Sequence, residues 1–98
     1  MLIYVISAYA GNIEVNTEMA RRYCRREYEQ GNVPIAPHLL FPQFMDEATE
    51  RYEGILMGLE VLERCDAVHV YGDDITEGMR MEIISAEECN IPIEYMGA

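Results

Sequence analysis

The sequence predicts an α/β fold, a parallel four-stranded sheet with helices on both faces. Three observations predict it. Four short runs, 2–8, 33–37, 67–72 and 91–96, are largely apolar and β-branched, as strands buried inside a layered fold are. Between them the apolar spacing lengthens to three and four residues, the period of a helix. Strands that alternate with helices join by right-handed crossovers into a parallel sheet.

The elements follow in order. "LIYVISA" (2–8) is the first strand, and "YAGN" turns the chain at Gly11 and Asn12. A helix is expected from Ile13 to Gln30, its inward stripe made by Ile13, Met19, Ala20, Tyr23, Cys24 and Glu27/Tyr28. Gly31 supplies its stop. "VPIAP" (33–37) is a short strand whose Pro34 suits a strand start or a sheet edge. "HLLFPQF" reads as an apolar loop, too broken by proline for a helix. Asp46 or Thr49 can cap a second long helix ending near Arg64, with Ile55, Leu56, Leu59 and Leu62 inward. "AVHVYG" is the third strand, "EGMRMEIISAEECN" a helix and "IPIEYM" the last strand. Residues 1–98 thus form one Rossmann- or flavodoxin-like domain without repeats or linkers.

Composition narrows the function. Against 18 acidic residues stand 7 basic ones, all Arg, for a net charge of −11. Such a chain repels a phosphodiester backbone, so a nucleic acid polymer is not expected as partner. A free nucleotide needs only a local site. No apolar run is long enough to span a membrane, and the N-terminus lacks a basic leader pattern. The odd, widely spaced Cys24, Cys65 and Cys89 read as reduced, mostly buried thiols of a cytoplasmic protein. With only two His, no metal site is expected, and no organic cofactor is implied. The "RRYCRR" cluster matches Glu18 to Arg22 and Arg25 to Glu29 at helical spacing, which suits solvated ion pairs. A small sheet leaves helix faces for a partner subunit, so a homo-oligomer is expected.

Ligands of open parallel sheets bind beyond the carboxyl ends of the strands. That rule selects "SAYAGN", "APHLLFPQF" and "GDDITEG", which carry Ser7, Tyr9, Gly11, Asn12, His38, Asp73, Asp74, Thr76 and Gly78. If Thr76 caps the last helix, Gly78 lies in its first turn and Glu82 one turn later on the same side. Glu82 has no Arg at helical spacing and flanks the apolar Met79, Ile83 and Ala86. A carboxylate so placed is a candidate for chemistry; a half-exposed surface acid beside a packing glycine is the plain alternative. His38, between prolines, fits a proton donor, a base contact or simple packing, and His69 fits a structural role.

"YVISAYAG" and "CDAVHVYGDDITEGMRMEI" resemble segments of the nucleoside 2-deoxyribosyltransferase-like superfamily. The likeness is nearest to small bacterial and phage members with a "PIAPHLLFPQF" loop, similar to 2'-deoxynucleoside 5'-monophosphate N-glycosidases. It implies that Glu82 is the nucleophile that attacks the anomeric carbon of a sugar. It implies that Thr76, six residues earlier, sits where a phosphate-holding Ser stands in relatives, and that Tyr9 and Gly11 line the sugar pocket. Ser7, Asn12, Gly78 and Met79 complete the expected substrate contacts. Relatives place an Asp on the helix before the third strand, where this chain has Gly58. Base protonation then falls to His38, Asp73 or Asp74. Two readings follow: an enzyme that cleaves or transfers the N-glycosidic bond of a nucleotide, or a non-catalytic protein that senses or sequesters one in the same crevice.

Overall fold

A computed structural model describes residues 1–97. Its elements are β1 (Leu2–Ile6), α1 (Ile13–Glu29), β2 (Val33–Ile35), α2 (Pro37–Leu40), a 3₁₀ turn (Phe41–Gln43), α3 (Arg51–Glu63), β3 (Ala67–Tyr71), α4 (Glu77–Glu88) and β4 (Ile93–Gly97). The strands form one parallel sheet in the order β2-β1-β3-β4. β1 runs beside β3, with Tyr4 opposite Val68 and Ile6 opposite Val70. The chain reverses its winding between these two strands, and the crevice for a ligand opens there. Pro34 lies on the edge strand, where its missing N–H costs least.

Alternation along β1 divides the core. Ile3 and Val5 pack with Tyr23 and Tyr71 on the α1 side; Tyr4 and Ile6 pack with Leu62, Val68, Met79 and Ile83 on the α3/α4 side. Both faces of the strand are buried, which accounts for its unbroken apolar run. Each large side chain shut away contributes roughly 1.5–3 kcal/mol.

The chain departs from expectation at several places. Residues 37–43 are helical and not a loop, because each proline opens a short turn where its missing N–H is no loss: Pro37 begins α2 and Pro42 lies in the first turn of the 3₁₀ segment. Neither Asp46 nor Thr49 caps α3. The Asp46 side chain instead accepts from the Ala48 N–H at 2.9 Å, Glu50 returns a carboxylate to the Asp46 N–H at 2.8 Å, and the helix starts at Arg51. Ile13, Tyr28 and Leu56, expected inward, are about half exposed or more, and Cys89 is exposed. Glu27, on the same stripe and expected inward, is fully buried. It accepts from His69 Nδ1 at 2.6 Å, from Asn32 Nδ2 at 2.9 Å and from the Tyr71 hydroxyl. The arginine cluster forms the solvated pairs Arg22–Glu18 and Arg25–Glu29. No helix among the described residues is long and apolar enough to cross a membrane.

Candidate active site

Two cavities open at the carboxyl end of the sheet. The larger, about 560 Å³, lies between α2, α3, α4 and the end of β1. Its lining includes Tyr4, Ser7, Tyr9, His38, Thr76, Gly78, Met79 and Glu82. These include seven of the site residues expected from sequence.

Glu82 stands on the cavity side of α4. Thr76 caps that helix, its Oγ1 accepting from the Met79 N–H at 3.2 Å, which fixes the register of the first turn. One turn on, the Glu82 carboxylate accepts a hydrogen bond from the Tyr4 hydroxyl. Gly78 leaves the approach open: a Cβ there would meet nothing within 4 Å. Its lack of a side chain serves no tight helix–strand contact. Burial pushes the Glu82 carboxyl up to about 7, and the Tyr4 hydrogen bond pulls the other way. Tyr4 is held far above its ordinary range by burial and by the Glu82 carboxylate, so its hydroxyl stays protonated and donates.

Gly58 explains how Tyr4 fits. A Cβ at position 58 would lie 3.3 Å from the Tyr4 hydroxyl and 3.9 Å from Pro37. The phenol therefore fills the space beside α3 where a side chain would otherwise project.

His38 is stacked on Tyr9, ring centroids 5.2 Å apart and planes 26° apart. Burial pushes it down to about 4, so the imidazole is neutral at pH 7. It cannot then act as a charged proton donor, though one ring nitrogen still carries hydrogen. His38 Nε2 and Ser7 Oγ are both shut off from solvent and have no hydrogen-bond partner among the described residues.

The remaining sequence candidates lie elsewhere. Gly11 adopts φ +97° in the turn before α1, and Asn12 caps that helix by accepting from the Val15 N–H at 3.2 Å. Neither lines the larger cavity. Asp73 and Asp74 line the smaller cavity, about 190 Å³, with Asn16 and Tyr71. Gly72, at φ +103°, precedes them in a conformation that suits glycine. Ser7 alone borders both spaces among the expected residues.

Sequence reasoning missed Tyr4, Glu47, Arg51 and Ile55, all of which line the larger cavity. A signal was present for α3: Arg51, Ile55 and Gly58 follow one another at helical spacing and so share a face. Glu47 and Arg51 pair at 3.4 Å.

The chain belongs to a family described as a domain of unknown function, DUF7768, whose model matches residues 1–96. No curated protein matches the sequence. Among solved structures it is similar to a 2-deoxyribosyltransferase from the psychrotolerant bacterium Bacillus psychrosaccharolyticus, with a TM-score of 0.77 and 14% identity over 99% of this chain and 72% of that one. At that identity the likeness is one of fold.

Proposed function

We propose that this member of the DUF7768 family cleaves or transfers the N-glycosidic bond of a nucleoside or deoxynucleoside 5'-monophosphate, with Glu82 as nucleophile. The observation that carries the reading is the Glu82 carboxylate in the cavity, oriented by the Tyr4 hydroxyl and approached past the bare backbone of Gly78. Ionised Glu82 would attack the anomeric carbon as the bond to the base breaks with its electron pair; the base takes a proton from water. Water or a second base then attacks the glycosyl ester and frees the carboxylate. Ser7 Oγ and His38 Nε2 supply polar atoms whose burial is compensated once a substrate bonds them. The α4 N-terminus at Thr76 and Gly78 favours an anionic group. The fold shared with a 2-deoxyribosyltransferase agrees with this chemistry.

The test is incubation with a panel of nucleoside and deoxynucleoside 5'-monophosphates, followed by chromatography for free base. Release by the wild type and none by Glu82→Ala is expected. A nucleotide bound tightly and recovered intact sinks the enzyme and leaves the second reading, a nucleotide sensor or store. That reading draws support from Gly58 and from a neutral His38 with no extra proton to give.

The same reading includes self-association. Tyr52, Leu56, Met81 and Ile84 are exposed on α3 and α4. Sedimentation of the wild type against Ile84→Lys tests it: a smaller species in the variant supports a subunit contact, and a monomeric wild type removes it.

A further inference from the structure

We propose that Arg51 is the anion-recognition residue of the larger cavity, held by Glu47 until the phosphate of a substrate displaces that carboxylate. The inference rests on the nucleotide reading above and adds the residue that decides between nucleotide and nucleoside.

Of the chain's seven Arg, Arg51 alone lines this cavity. With a net charge of −11, the protein as a whole repels an anion, so a local cation must outweigh the general field. Position along the cavity is favourable. Arg51 precedes Gly58 by seven residues on α3, which places it on the same face about 10 Å nearer the helix start. Thr76 precedes Glu82 by six on α4, about 9 Å in the same sense. Both helices have their N-termini at the carboxyl end of the sheet, since α3 leads into β3 and α4 leaves it. A sugar set against Glu82 and Tyr4 with its 5' substituent toward the N-termini of α3 and α4 would bring that substituent to the end of the cavity that holds Arg51.

The present partner of Arg51 is a weak one. Glu47 reaches one guanidinium nitrogen at 3.4 Å, and the two side chains are 43% and 56% exposed. Such a pair is screened by solvent, whereas a phosphate offers a guanidinium two parallel charge-assisted bonds. Glu47 itself lines the cavity, so it can swing aside without leaving the site. The Arg64–Glu60 pair, 3.5 Å apart at the same spacing, has no cavity beside it among those described and provides the internal comparison.

The experiment is calorimetric titration of the four common deoxynucleoside 5'-monophosphates and their deoxynucleosides into wild type, Arg51→Gln, Glu47→Gln and Arg64→Gln. The readout is the affinity ratio of each monophosphate to its nucleoside. Arg51→Gln is expected to lower that ratio at least tenfold, Glu47→Gln to raise it several-fold, and Arg64→Gln to leave it within twofold. An unaltered ratio in Arg51→Gln overturns the inference while the proposed function stands. An equal fall in Arg64→Gln also overturns it, because the general field and not a site is then at work. A wild type that binds neither class removes the proposed function and this inference together.

Discussion

Tyr4 on β1 and Glu82 on α4, 78 residues apart in sequence, share one hydrogen bond in the larger cavity. The phenol donates and the carboxylate accepts. The bond stabilises the ionised form of an acid that burial pushes toward neutrality, and burial prevails, leaving Glu82 at about 7.

A nucleophilic Glu82 must be ionised. The kcat/KM for base release is therefore expected to rise with pH and level off above about 7, and a pH–rate profile checks it. Stability runs the other way. Between the ordinary value of 4.5 and about 7 the folded chain holds more protons than the unfolded one, so Glu82's contribution weakens as pH rises through that window. Glu82→Gln is expected to raise stability by on the order of 1–3 kcal/mol at pH 8 and by little at pH 4, measured by urea denaturation.

Tyr4→Phe removes the donor. Without it the carboxyl rises further, and the rate profile is expected to move to higher pH by about one unit, with activity at pH 7 down roughly fivefold. Recovery at pH 9 separates this outcome from simple misfolding. A profile that keeps its midpoint would show that the bond does not set the ionisation of Glu82.

Gly58→Ala is the subtler probe. Alanine favours a helix interior by about 1 kcal/mol over glycine, but its Cβ would press on the Tyr4 hydroxyl from 3.3 Å. Thermal denaturation is expected to show little net change. The rate profile should still shift in the direction of Tyr4→Phe, because the phenol must yield by a few tenths of an ångström.

Much of this was legible in the sequence, for physical reasons. Strands buried on both faces leave unbroken apolar runs, so β1 and β3 stood out. Thr76 and Glu82 were legible because a cap fixes a helix register, and the register fixes which residues share a side. Tyr4 was not. A tyrosine inside an apolar run reads as core, and only the packing of α4 on that face of β1 brings its hydroxyl to Glu82. Asp73 looked equal to Thr76 in the same loop, yet the two line different cavities, which no spacing within the loop announces. The helix at 37–40 was hidden because proline is read as a breaker before its position in a turn is known.

Glu27 carries the last prediction. It is fully buried, and its partners His69 and Tyr71 lie 42 and 44 residues away, so no spacing along α1 announces them. Burial alone would push this carboxyl up, but the hydrogen bonds from Tyr71, His69 and Asn32 outweigh it and hold the group below its ordinary value. A carboxyl depressed by folding contributes stability that is present above the unfolded value of about 4.5 and lost as pH falls below it. Glu27→Gln would set an amide N–H₂ against these donors and leave at least one unpaired, at a cost of roughly 2–4 kcal/mol. Urea denaturation at pH 7 and pH 4 checks both claims: the variant should be much weaker at pH 7, and its deficit should shrink at pH 4. A deficit equal at the two pH values would mean that Glu27 is not the charged partner in this cluster.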